Sequence, residues 1–156
     1  MATNLHRVYQ NFIWRIESIP PTCTRPGKNF VSLGNVAASE STGTSRGFRV
    51  KRQGRETESE LTDLYQRTAT HDYRVEVYYP SALSQDAIEE IISQDAHDII
   101  KTLRDPASYL GFNSANNNTN IGVRSRMEIS DQVNESASLW TLQINFKCLV
   151  TEIENA

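Results

Sequence analysis

Over Leu139–Val150 an apolar residue stands at every second position, Trp140, Leu142, Ile144, Phe146, Cys148 and Val150, with Thr141, Gln143, Asn145 and Lys147 on the other side. A period of two sustained this long predicts a strand with one buried face. Tyr73, Val75, Val77 and Tyr79 alternate in the same way with Arg74, Glu76 and Tyr78, and Pro80 ends that strand. Phe48 and Val50 against Arg49 and Lys51 predict a third strand over Gly47–Gln53. Ile121, Val123, Met127 and Ile129, set against Arg124, Arg126 and Glu128, predict a fourth over Ile121–Ile129.

Two segments change to helical spacing. Ile88, Ile91, Ile92, Ala96, Ile99, Ile100 and Leu103 recur at three and four, running up to Arg104 with Pro106 closing the element. Ser84 is its predicted N-cap, and Asp86, Glu89 and Glu90 sit in the opening turns, where the helix dipole favours negative charge. Leu5, Val8, Tyr9, Phe12, Ile13 and Ile16 form a second stripe over Leu5–Ile19, with Thr3 as N-cap and Pro20–Pro21 as the stop. Trp14 stands off that stripe, near Arg7 and Gln10, either as a rim residue or as an exposed anchor for a partner.

Between these elements the pattern thins. Residues 22–45 are rich in Thr, Ser, Gly, Asn and Ala, with Phe30, Val31 and Leu33 as a minor strand. Residues 54–70 read as a long polar connection in which Leu61, Leu64 and Tyr65 supply a helical turn. The Asn-rich stretch 108–120 reads as a loop, and the acidic tail from Thr151 is expected to fray. The expected order is helix, strand, strand, helix, strand, strand, with no internal repeat. This is one α+β domain over 1–156, an antiparallel sheet with two helices packed on one face. The other face carries Arg49, Lys51, Arg74, Glu76, Arg124, Arg126, Glu128 and Lys147, and either meets water or another subunit.

Composition supports that picture. The chain has 156 residues, 38% of them hydrophobic and 22% charged, which is enough for one core without disulfide or metal staples. No run approaches the roughly 18 apolar residues of a membrane span, and the first nineteen residues mix Asn4, His6, Arg7, Gln10 and Arg15 into their apolar positions, unlike a secretory signal. A cytoplasmic site of synthesis is expected, with Cys23 and Cys148 as free thiols. A net charge of -3 argues against a dedicated nucleic-acid binder.

Candidate chemistry adds little. His71-Asp72 and His97-Asp98 are the type of pair that holds a divalent ion in a phosphohydrolase, but no further ligands stand at helical spacing, and solvated histidines explain them. Gly43–Gly47 has neither the lysine nor the following helix of a phosphate loop, and no nucleophile elbow occurs. Asp86, Glu89 and Glu90 have a sufficient reason in the helix start. Arg46, Arg49, Lys51, Arg52 and Arg55 place five cations in ten residues, which either contact phosphate or pair across the sheet with Glu76 or Glu128. Sequons at Asn117 and Asn134 carry no weight without export. No catalytic residue, cofactor or metal is expected.

The succession RVEVYYP at Arg74–Pro80, an acid-opened isoleucine helix ending in KTLRDP at Lys101–Pro106, and a last alternating strand resembles the tail-terminator, or tail-completion, proteins of long-tailed bacteriophages over about residues 46–150. That resemblance implies a non-enzymatic virion protein. It implies a homohexameric ring that caps the tail tube, ends its polymerisation and joins it to the head connector, assembled in the host cytoplasm, with DNA passing through the lumen without sequence-specific binding. Interface candidates are Trp14, Tyr78 and the basic strand (Arg46, Arg49, Lys51, Arg52, Arg55). The long 54–70 connection departs from the family pattern and reads as a loop that orders on docking to the tube. Competing readings are another neck or head-completion adaptor, which would bind the portal side, a nucleic-acid-binding module built on Arg46–Arg55, and a metal-dependent hydrolase using His97 and Asp98.

Overall fold

A computed structural model describes residues 4–21, 30–33, 46–63, 66–80, 85–105, 119–134 and 139–153. The expected caps Thr3 and Ser84, the stop at Pro106, Cys23, Gly43, Leu64, Tyr65 and the stretch 108–118 lie outside those residues. In chain order the elements are α1 (Asn4–Glu17), β1 (Phe30–Ser32), β2 (Arg46–Asp63), β3 (Gln66–Pro80), α2 (Gln85–Arg104), β4 (Thr119–Asn134) and β5 (Leu139–Ile153).

Both helices form where the apolar stripe predicts them. In α1, Val8, Phe12 and Ile16 repeat every four residues and are fully buried. The helix closes as the Ser18 amide and hydroxyl both donate to the Trp14 carbonyl, at 3.0 and 2.7 Å, before Pro20 removes the next donor. In α2, Ile88, Ile92, Ala96, Ile99 and Leu103 are buried. Asp86 in its first turn and Lys101 and Arg104 in its last complement the helix dipole.

The sheet has five strands in the order β1-β2-β3-β5-β4. The β2–β3, β3–β5 and β5–β4 pairs are antiparallel, while β1 runs parallel to β2, with Phe30 opposite Arg46 and Ser32 opposite Phe48. The sheet is therefore mixed, not purely antiparallel, because the minor strand joins its edge. The fold is α+β, with the helices against the sheet. Because β5 lies between β3 and β4, α2 crosses over it to link two strands that run the same way.

The larger correction concerns 54–70. This segment is not a loop with a helical turn: β2 continues to Asp63 and β3 begins at Gln66, and the strands pair from Phe48–Val77 out to Asp63–Gln66. Register shifts interrupt the ladder between Arg52 and Glu56, Glu58 and Glu60, and Leu61 and Asp63. Such bulges bend and twist a long ribbon without ending it. Likewise β4 exceeds its expected span at both ends, taking up Thr119 and Asn120, and β5 carries on through Thr151–Ile153 rather than fraying there.

One face of the sheet makes the core. Phe48 and Val50 of β2, Tyr73, Val75, Val77 and Tyr79 of β3, and Leu142, Ile144, Phe146, Cys148 and Val150 of β5 pack with residues from both helices in one cluster. Tyr73 and Phe146 stand opposite each other in register and stack with centroids 5.5 Å apart. Phe12 of α1 meets both edge-on, at 5.1 and 5.3 Å. Each such ring is worth roughly 1.5–3 kcal/mol in burial and each pair about 0.5–1.5 kcal/mol more. Phe12 thus fixes α1 to the middle of the sheet.

Candidate assembly surface on the second sheet face

The residues that alternate with the core set on β2, β3 and β5 share the opposite face, and there the sheet is polar. Its centre is Glu76, 8% exposed, whose carboxylate accepts a 2.6 Å hydrogen bond from the Tyr78 hydroxyl. Lys51 Nζ lies 3.3 Å from both Glu76 oxygens and donates to Oε2. Arg74 stands 3.9 Å from Glu76 Oε1 and donates from Nε to Asn145 Oδ1 at 2.9 Å. Arg49, opposite Glu76 in register, holds its guanidinium 5.7 Å from the centre of the Tyr78 ring. The expected cross-strand pairing of the basic strand with Glu76 is made, chiefly through Lys51.

One carboxylate does not balance these cations. Lys147, exposed, and Asp72 stand opposite each other beyond Arg74 and Asn145. Gln53, Asp72, Arg74, Asn145 and Lys147 rim an open depression of about 350 Å³. Among the described side chains of this face, the cations Arg49, Lys51, Arg74 and Lys147 outnumber the acids Glu76 and Asp72. In register, Arg124 of β4 stands beside Lys147. Burial of Tyr78, together with its hydrogen bond to Glu76, pushes the phenol up to about 12. Since Tyr78 is only 6% exposed and its hydroxyl is engaged, it supports this network from within and offers little surface to a partner.

The five-cation run does not form one patch. Strand alternation sends Arg49 and Lys51 to the second face, while Arg52 stands opposite Tyr73 on the core side, exposed near that phenol. Arg55 lies where the backbone of β2 alone is described. Arg46, at 3% exposure, is inside the protein and is corrected as an interface candidate. Its Nε lies 3.2 Å from Asp95 Oδ2 of α2, angled as an ion pair rather than a well-aimed hydrogen bond. Its guanidinium sits 4.9 Å over the Tyr79 ring, whose hydroxyl donates to the same Asp95 oxygen at 2.8 Å. Asp95 is completely buried. This triad locks α2 to β2 and β3, and the sequence held its signal: Asp95 falls between Ile92 and Ile99 on the apolar stripe, where a carboxylate needs a buried cation.

The remaining candidates are dispersed. Trp14 is 57% exposed on α1, with the Arg15 guanidinium 4.4 Å over its ring. His71 is not a solvated histidine: it lies within β3, buried and tilted against Tyr73 at 6.5 Å. His97 is exposed on α2, and its neighbour Asp98 accepts a 2.9 Å hydrogen bond from Gln94. Among the described residues no group of His, Cys, Asp and Glu is placed to hold a metal ion, and no helix is long and apolar enough to cross a membrane. Cys148 is buried on the core face, and desolvation pushes its thiol up to about 12.

No protein-family model matches the chain, and no curated protein is similar enough to count as a relative. One solved structure aligns over 100% of this chain and 98% of its own length, with 13% identity and a TM-score of 0.41, a likeness too weak to carry an argument about fold or function.

Proposed function

We propose that the protein is a structural, non-enzymatic subunit of a phage tail terminator, forming a homohexameric ring that caps the tail tube, ends its growth and meets the head connector. The observation that carries this reading is the two-sided sheet. One face is consumed by a single core shared with both helices, whereas the other presents a charged network with a cation excess. A face of that kind is suited to contacts between subunits. A cyclic ring needs two different matching patches on each subunit. The chain also carries a long β2–β3 ribbon. Fifteen residues of β3 span about 50 Å at strand rise, against about 30 Å for the twenty residues of α2. α2 alone is therefore too short to cover the ribbon over its whole length. DNA would pass through the lumen without sequence-specific binding. A terminator and a portal-side adaptor differ in the partner they bind.

The test adds the purified chain to polymerising tail-tube subunits of the phage that encodes it. Tubes that stop at a uniform length with a ring at one end support the reading. Unchanged tube growth with binding to the portal instead would give the adaptor, and affinity for DNA that falls steeply with salt would give the nucleic-acid module.

A further inference from the structure

The two strands that flank the β3–β5 pair are bulged at the same level of the sheet. Four steps along β2, Arg52 to Glu56, run beside two along β3, Tyr73 to His71, and four along β4, Arg124 to Glu128, run beside two along β5, Lys147 to Asn145. Each flanking strand thus carries two residues more than the inner strand it pairs with. The inner residues between the bulges, Asp72 with Lys147 and Tyr73 with Phe146, are register partners. Bulges interrupt a ladder, bend the strand that holds them and are over-represented next to active sites. The depression on the second face lies at this level, lined by Gln53, the first residue of the β2 bulge, and by Asp72, Arg74, Asn145 and Lys147.

The donors in this lining are held in place but not used up. Arg74 spends its Nε on Asn145 Oδ1 at 2.9 Å, which orients both side chains. The guanidinium keeps its terminal nitrogens, one of them 3.9 Å from Glu76, and the Asn145 amide keeps its two N–H donors. Lys147 and Asp72 stand opposite each other, yet among the described residues neither forms an ion pair. Asp72 is the one carboxylate in the lining.

We propose that this depression binds hydrogen phosphate. Arg74, Lys147 and the Asn145 amide donate to its unprotonated oxygens, and Asp72 accepts from the protonated one. Donors on three side chains suit a tetrahedral oxyanion better than a planar carboxylate, and charge-assisted bonds of this kind are the strong ones. Asp72 makes the choice of anion. It repels an oxyanion with no proton to give, such as sulfate or a phosphodiester, and hydrogen-bonds to one that has a proton. A phosphomonoester loses its proton above about pH 6, so free phosphate is the ligand. No subunit contact is needed for this, so the site and the ring are tested separately.

Equilibrium dialysis of the full chain against radiolabelled phosphate at neutral pH and fixed ionic strength, with sulfate and a phosphodiester-linked dinucleotide as competitors, tests the site. Wild type, R74Q, K147Q, D72N and the control K101Q, at an exposed position on α2, are compared, with circular dichroism confirming that each folds. Wild type and K101Q should bind phosphate saturably, and neither competitor should displace it at equal concentration. R74Q and K147Q should each bind about tenfold more weakly or worse. D72N should lose the preference, so that sulfate competes as well as phosphate. Absence of saturable binding overturns the proposal, as does sulfate or the dinucleotide competing equally in wild type, or R74Q and K147Q binding as well as K101Q. Light scattering on the same samples reads assembly, and phosphate binding by a chain that forms no ring would strike the ring reading alone.

Discussion

Removing either partner of the buried Arg46–Asp95 pair should be among the most damaging substitutions in this chain. Arg46 is 3% exposed and Asp95 not at all, so Arg46→Met takes its guanidinium away from a buried carboxylate and Asp95→Leu takes its carboxylate away from a buried guanidinium. Breaking such a pair from one side costs about 3–5 kcal/mol. For a domain of this size that corresponds to a fall in Tm on the order of 10 °C. Replacing both charges should behave differently, because the desolvation cost vanishes along with the attraction. The double variant takes away the acceptor of the Tyr79 hydroxyl, which now donates to Asp95 at 2.8 Å, at about 1–3 kcal/mol. Adding Tyr79→Phe removes that penalty too. The triple variant R46M/D95L/Y79F is therefore expected within about 1 kcal/mol of wild type, or above it. Urea unfolding followed by circular dichroism, with the slope checked for constancy, reads each step. The reasoning is refuted if either single substitution costs less than about 1 kcal/mol, or if the triple costs as much as the two single changes added together.

Other predictions follow from the same geometry. Phe12→Ala, which removes the ring joining Tyr73 and Phe146, should cost about 3–5 kcal/mol in the same unfolding assay. Trp14→Ser, at an exposed position, should change stability by less than about 0.5 kcal/mol; a larger loss would mean the residue is structural. In a Cys23→Ser background, Cys148 should resist a thiol reagent at neutral pH until urea unfolds the chain, since its buried thiol is held protonated. Rapid labelling of the native protein would contradict that. Burial raises the Tyr73, Tyr78 and Cys148 groups from 10.0, 10.0 and 9.0 to about 12. Folded values above the unfolded ones mean that the stability they carry is whole below about pH 9 and is lost as pH climbs toward 12. Urea midpoints that stay flat across that window would sink this account.

The elements that the sequence displayed were those whose burial is apolar. β5 places an apolar residue at every second position from Trp140 to Val150, and both helices carry stripes that only a 3.6-residue period fits. The distal halves of β2 and β3 hid because their alternation runs through Glu, Thr, Ser and Ala, residues of modest strand preference. There, pairing with a distant strand decides the conformation. A polar segment of that length reads as a loop when the partner strand is unknown. Strand β1 made the sheet mixed through three residues, too few for any period to show. The surface was half legible. Lys51, Arg74 and Glu76 were placed on one face by parity alone, but a run of five cations looked like a patch until alternation divided it between two faces and burial drew Arg46 inside. Asp95 could have been found as an acid on an apolar stripe, and Tyr78 could not, because its burial depends on side chains from a neighbouring strand.

The claim on which the rest depends is the ring. Light scattering across a concentration series, with negative-stain imaging of the largest species, measures it directly. The account predicts a closed six-membered ring at six times the 17.7 kDa chain mass, weakened by salt. A stable two-fold dimer with no ring at any concentration would contradict it.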